Sequence, residues 1–257
     1  MQIKRQSNQK IKHLSIVVTL VLFLLIWELL VSLFDLPAFI LPTPLQVGQR
    51  FLRAFSDGSL LQHSAATLVE VLSGLVCGVF FATLLGYMLA KSKFLENVLQ
   101  PFLVASQALP MVAIAPLLVI WFGTGIFSKI LICALTVFFP VLVNTMVGLR
   151  AVPQNLRDLM RSMRATPWQM FRQLELPAAL PVLLGGLRIG ATLSVIGAVV
   201  GELVGADRGL GFLINVGRGQ YDTALVFVGV LTLVCLALSL YSLVLWMEKH
   251  LLRWKTD

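Results

Sequence analysis

Six apolar runs, each long enough to cross a lipid bilayer, constrain this chain more than any other feature. A spanning helix needs about 20 mostly apolar residues, and the runs at roughly 14–34, 66–90, 100–122, 126–148, 181–204 and 224–247 qualify. None alternates apolar and polar residues over a strand-length period, which argues against an outer-membrane barrel. Composition agrees, with 58% of the 257 residues hydrophobic and 12% charged, where soluble domains carry about a quarter charged. The expected fold is therefore an all-α membrane protein of about six transmembrane helices, one membrane domain over residues 1–257. The first run is too long for a signal-peptide core and has no small-residue cleavage site after it, so it reads as a retained helix.

Charge sets the orientation. In so apolar a chain, the net charge of +8 reads as Lys and Arg kept in cytoplasmic connections, with no nucleic acid involved. One side takes the N-terminal tail over 1–13 (Lys4, Arg5, Lys10, Lys12), the C-terminal Lys249, Arg253 and Lys255, the 2–3 connection (Lys91, Lys93) and the 4–5 connection (Arg150, Arg157, Arg161, Arg164, Arg172). That side holds fourteen of the 20 basic residues. Arg50, Arg53, Arg208 and Arg218 face the other way, with Lys129 at the boundary. The positive-inside rule then places both termini in the cytoplasm.

Two outer connections have character. In "LPTPLQVGQRFLRAF", Pro42 and Pro44 fix an extended lead into a helix at about 44–56. Leu45, Phe51, Leu52 and Phe55 share one face of it with Arg50 and Arg53 off that face, so the helix should lie in the outer interface. The stretch at about 205–222, "GADRGLGFLINVGRGQYDT", is too glycine-rich for a regular spanning helix. It is expected to dip into the membrane or cap a cavity mouth as an outer gate, with Gly209 and Gly211 as hinges.

The cytoplasmic segment at about 150–180 is the unusual one. Leu156, Leu159, Met160, Met163, Met170, Phe171 and Leu174 form a helical stripe apart from Arg157, Asp158, Arg161 and Arg164. In "TPWQ", Thr166 is placed as N-cap, Pro167 at the first helical position and Gln169 where a capping box wants it. Two short helices with a break near 165–166 are expected, the second ended by Pro177. A surface helix resting its arginines on lipid headgroups is the plainer account, but a tandem pair with a stiff break makes a knob suited to a groove on a partner protein.

Ionisable groups inside spans are functional candidates. Glu28, Glu70, Arg188 and Glu202 qualify; Arg188 and Glu202 are about 21 Å apart along one helix, so each needs its own neighbour or water. For Glu28, Glu70 and Glu202 the plainer account is solvation near the outer headgroups, and for Arg188 inward snorkelling. Pro101, Pro110 and Pro116 should kink the third span, and with Ala105, Ser106, Ala108, Ala113 and Ala115 it would line a translocation cavity, Gln107, Asn144 and Thr145 adding polar lining. Cys77, Cys133 and Cys235 are scattered without metal-ligand spacing. His13, His63 and His250 fall outside the spans, and no catalytic constellation or phosphate-cradling loop is present. ATP-driven work must therefore come from another polypeptide, and no cofactor is expected in this one.

"LRDLMRSMRATPWQMFRQLELPAALP" resembles the cytoplasmic EAA loop of ABC importer permeases, the coupling helix that docks into the ATP-hydrolysing subunit. "LPTP", "LPMVAIAPLLVIWFGTG", "FFPVLVNTMVGLRAVP", "LPAALPVLLGGLRIGAT" and "GELVGADRGLGFLI" extend the resemblance to the nitrate, sulfonate and taurine branch, to which permeases for thiamine-precursor pyrimidines and riboflavin are similar. The resemblance implies a type I importer permease of a bacterial inner membrane, working as a pair. It also implies two ATPase subunits contacting Asp158, Met163, Arg164, Ala165, Thr166, Trp168, Phe171, Leu176 and Pro177, and an extracytoplasmic substrate-binding protein. Pathway or gate candidates are Gln107, Pro110, Pro116, Asn144, Arg188, Glu202, Gly209 and Gly211. Asp158, Leu159 and Met160 stand where the family has Glu-Ala-Ala, and Arg164 stands where it has Gly, a change that costs on the order of 1 kcal/mol if the position needs positive φ. The alternative is a secondary transporter driven by an ion gradient. It would call for paired buried acids near the midplane and an inverted repeat, and the sequence offers neither.

Overall fold

The computed structural model describes the backbone of residues 2–252 and the side chains of residue 15 and residues 18–252. The tail side chains of Lys4, Arg5, Lys10, Lys12, His13, Arg253 and Lys255 lie outside the described residues. Every regular element described is helical: α1 (Gln2–Leu33), α2 (Pro44–Ser56), α3 (Ser59–Lys91), α4 (Lys93–Gln107), α5 (Met111–Phe122), α6 (Ile126–Arg150), α7 (Gln154–Ser162), α8 (Pro167–Met170), a π turn (Phe171–Glu175), α9 (Leu176–Gly205), α10 (Leu210–Gly219) and α11 (Thr223–Leu251). The chain divides into two compact units, Met1–Leu61 with Leu213–Val230, and Gln62–Phe212 with Leu231–Asp257.

In the larger unit, α6 and α9 make the most extensive helix pairing. Small residues let the backbones approach, as membrane helices lacking a hydrophobic driving force require. A Cβ on Gly197 would come within 2.9 Å of the Cys133 Cα, and Gly74 of α3 admits Cys133 from the other side. Buried Cys133 is thus a small packing residue. Ala115, Leu118 and Val119 of α5 close a core with Ile132 of α6.

Among the described residues, four helical stretches are long and apolar enough to cross a membrane, namely Ser59–Lys91, Ile126–Arg150, Pro167–Gly205 and Thr223–Leu251. The third expected span is broken outright rather than kinked, α4 and α5 meeting at 96°. Pro110 sits at the break as N-cap of α5, whereas Pro101 and Pro116 are accommodated inside their helices. The pair still carries the chain from one end of the unit to the other. Arg150, at the end of α6, binds Glu96 near the start of α4 and the Leu89 carbonyl near the end of α3. Lys129, at the start of α6, reaches back to the Thr124 carbonyl just after α5. In α1 the described apolar part is Val18–Leu33.

Pro177 does not end the segment that begins at Pro167. The helix runs on through the π turn into α9 as one 39-residue stretch. The widened turn, in which the Leu176 N–H bonds to the Phe171 carbonyl, makes room directly ahead of a proline whose ring would otherwise crowd the carbonyl four residues back. The glycine-rich stretch is likewise more regular than expected, being helical over Leu210–Gly219.

In the smaller unit, Thr43 and Gln46 form a capping box on α2, a signal beside Pro44 that the sequence reading passed over. The Ser59 hydroxyl and N–H hold the Asp57 carboxyl below the usual carboxylate range. Trp27 of α1 packs its ring 5.0 Å from that of Phe227. Arg50 Nε donates to Asp222 Oδ2 at 2.7 Å, fixing α2 to the α10–α11 turn. Tyr221 occupies that turn at φ 56°; its N–H bonds to the Arg218 carbonyl and that of Asp222 to the Gly217 carbonyl, a Schellman motif with tyrosine where glycine is usual.

Candidate functional site: a cytoplasmic knob, a broken-helix pocket and a buried acid pair

The first region is the knob. Thr166 caps α8, its hydroxyl accepting from the Gln169 N–H while the Gln169 side chain returns to the Thr166 N–H. α7 ends in a second Schellman motif, with Arg164 N–H to the Arg161 carbonyl at 2.9 Å and Ala165 N–H to the Met160 carbonyl at 3.0 Å. Arg164 takes φ 56°, so the position does demand the left-handed conformation. Asp158 Oδ1 accepts from Gln154 and from Arg161 and stays largely exposed. The apolar stripe splits in two. Leu156, Leu159, Met163 and Trp168 are exposed, while Met160, Met170, Phe171 and Leu174 are half-buried. Phe171 stands edge-on to Tyr87 of α3, ring centres 5.4 Å apart, with Trp168 against it. Leu176 and Pro177 belong to the first turn of α9.

The base of the knob is pinned by a group that sequence reasoning missed. Glu175 is fully buried, accepts from Lys91 Nζ at 2.5 Å and lies 4.0 Å from Arg157 Nε. By sequence Lys91 is only a cytoplasmic charge. Its partner lies 84 residues away, and nothing in local spacing points to it.

The second region lies at the α4–α5 break, where Ser106, Gln107, Thr136, Phe139, Pro140 and Asn144 border a pocket of about 420 Å³. Asn144 Nδ2 donates to the Pro140 carbonyl at 2.8 Å. Pro140 in turn withholds the N–H that an α-helix would supply to the Thr136 carbonyl. Gly186 of α9 lies so close to Asn144 that a Cβ there would stand 2.7 Å from the Asn144 Cβ. Among the described residues, no ionisable side chain borders this pocket. Gln107 and Asn144 therefore come together as expected lining groups, with Pro110 at the break beside them. Several others do not join. Pro116 is exposed on α5, and Ala115 is buried in the core. Of the five small residues only Ser106 borders the pocket, and Thr145 faces a separate apolar cavity beside Trp168 and Phe171.

The third region gathers Glu202, Gly209 and Gly211. Glu202, fully buried, accepts from the Thr67 hydroxyl at 2.6 Å and from the Gly211 N–H at 2.5 Å. Thr67 accepts from the Leu210 N–H at 2.8 Å, and His63 Nδ1 from the Gly209 N–H at 3.0 Å. The Gly209, Leu210 and Gly211 N–H groups at the start of α10 thus meet an imidazole, a hydroxyl and a carboxyl oxygen. His63 lies within α3 rather than outside the spans. Gly209 takes φ 112°, and a Cβ on Gly211 would stand 2.8 Å from the Glu202 Cβ. Close approach to Glu202 is what these glycines serve here.

Glu70 is not solvated at the headgroups. It is buried, its carboxyl lies close to that of Glu202, and fully buried Lys129 lies close by. A pair of buried acids therefore exists, contrary to the sequence reading, but near one end of the bundle. Arg188 has a protein partner. It pairs with Glu248 and lies 5.7 Å over the Tyr241 ring, apart from both the pocket and the acid pair. Glu28 is exposed.

Comparison with known proteins decides the family. The model of the binding-protein-dependent transport system inner membrane component matches residues 74–254. The chain belongs to that family. The riboflavin transport system permease protein of Chloroflexus aurantiacus is 48% identical, over 95% of this chain and 91% of that one. The formylaminopyrimidine transport permease protein of Halalkalibacterium halodurans is 36% identical over 91% and 93%, and the taurine transport system permease protein of Escherichia coli 32% over 92% and 88%. The fold is that of the permease in the inward-facing MetNI methionine ABC transporter, with a TM-score of 0.58, 23% identity and coverage of 75% of this chain and 94% of that one. A second neighbour, from an amino acid ABC transporter with histidines, gives 0.61 at 16% identity over 78% and 98%. The permease is a multi-pass, non-catalytic transport component of an ABC importer.

Proposed function

We propose that this permease carries an uncharged heteroaromatic solute, of the riboflavin or pyrimidine kind, through the pocket at the α4–α5 break. The observation that carries the reading is the lining of that pocket, in which two amides, two hydroxyls and the Phe139 ring offer hydrogen bonds and a stacking face without a fixed charge. A sulfonate or nitrate would require a cation there. The similarity to permeases for riboflavin and formylaminopyrimidine supports the same class.

In this reading two copies of the permease enclose the pathway, an extracytoplasmic binding protein delivers the solute, and both termini face the cytoplasm. Two ATPase subunits grip the exposed Leu156, Leu159, Met163 and Trp168, with Asp158 offered to a basic partner group. Closure of the ATPase pair on ATP moves the knobs and turns the cavity outward, and hydrolysis resets it, each state being stabilised by a different ligand. Glu202, Gly209 and Gly211 hold the outer end closed.

Uptake of labelled riboflavin and taurine into cells carrying the transporter and its binding protein tests the solute class. Riboflavin uptake that falls at least tenfold in Asn144→Ala is expected. Taurine uptake in its place would overturn the assignment.

A further inference from the structure

The cleft between α2 and the α10–α11 turn is unused by anything described so far. It measures about 540 Å³ and is bordered by Gln46, Gln49, Arg50, Arg53, Tyr221 and Asp222. Arg50 is taken up by Asp222, whereas Arg53 is exposed and makes no ion pair among the described residues. The cleft therefore presents one uncompensated cation. Its second feature is Tyr221, 78% exposed and held in the left-handed region, where a bulky residue is a genuine outlier. Strain of that kind persists where the side chain serves a purpose, and an exposed tyrosine beside an arginine has the composition of a protein-binding hot spot.

The geometry of α2 separates this surface from lipid. At about 100° per residue, Gln46, Gln49, Arg50 and Arg53 centre about 140° around the helix from Leu45, Phe51, Leu52 and Phe55. Those four apolar side chains are the exposed ones. With them in the membrane interface, the Arg53 face points into water. Both walls of the cleft follow odd-numbered spans, which puts them on the outer side under the charge-based orientation.

We infer that this cleft is the docking point for the extracytoplasmic binding protein, with Arg53 receiving an acidic side chain and Tyr221 packing against the surface around it. The inference rests on the reading above that a binding protein serves this permease. Tyr221→benzoylphenylalanine in the whole transporter, irradiated in cells, tests it. The expected product is a cross-link to a solute-binding protein, identified by mass spectrometry, whose yield drops at least tenfold with Arg53→Glu while the ATPase still co-purifies. A cross-link undiminished by Arg53→Glu, or one to lipid alone, overturns the inference. So does an ATPase that co-purifies normally beside a residue 221 that cross-links nothing, and the reading of ATPase subunits at the knob then survives. Loss of both cross-link and ATPase in the otherwise unsubstituted protein removes the reading of a binding protein and ATPase subunits serving this chain, and this inference with it.

Discussion

Arg164 and Tyr221 stand at the same place in two Schellman motifs, each in a conformation that glycine adopts freely. The left-handed region costs an L-residue about 1–2 kcal/mol, and glycine adds about 0.4–1 kcal/mol of unfolded-chain entropy. The first is the larger. Arg164→Gly and Tyr221→Gly should therefore each stabilise the permease by about 0.5 kcal/mol, raising its thermal midpoint in detergent slightly, and a lower midpoint for either would show that the strain is absent. Glu202 predicts the opposite sign. Glu202→Ala removes the acceptor for the Gly211 N–H and the Thr67 hydroxyl, at about 1–3 kcal/mol for each group left unpaired. Hydrogen exchange at residues 210 and 211 should quicken, and unchanged protection would mean that Glu202 does not hold α10.

Among elements, the α6–α9 pairing is sensitive to added volume. Gly186→Ala drives a methyl group into Asn144, whereas the neighbouring Gly185 has nothing within 4 Å. The first substitution should cost about 1–3 kcal/mol as overpacking and depress uptake; the second should leave both almost untouched. Equal behaviour of the pair in thermal unfolding and uptake would refute the close approach. What was legible in the sequence follows the same division between near and far. The box at Thr166 and Gln169 could be read because its members are three residues apart. The pairs Lys91–Glu175, Thr67–Glu202 and Arg188–Glu248 span 84, 135 and 60 residues, and no periodicity reports them. Hydropathy found α4 and α5 as one run because it measures length and carries no direction, so a 96° break leaves it unchanged.

At the scale of the whole molecule, the permease should separate holding its shape from holding its motor. Asp158→Ala with Met163→Ala alters only exposed groups of the knob, so the ATPase should fail to co-purify while helix content and thermal midpoint stay the same. Undiminished co-purification would dismiss the knob as the attachment point. Under the proposed coupling, displacement at the knob would travel along the 39-residue stretch from Pro167 to Gly205. Glu202 lies about 40 Å along it from the π turn at about 1.5 Å per residue. A rod yields first at its weakest section, and here that section is the π turn, where the α-helical ladder widens just ahead of Pro177. Under that coupling, its compliance, set by how firmly Glu175 is gripped, would fix what share of each stroke at the knob arrives at the far end and what share is lost as bending.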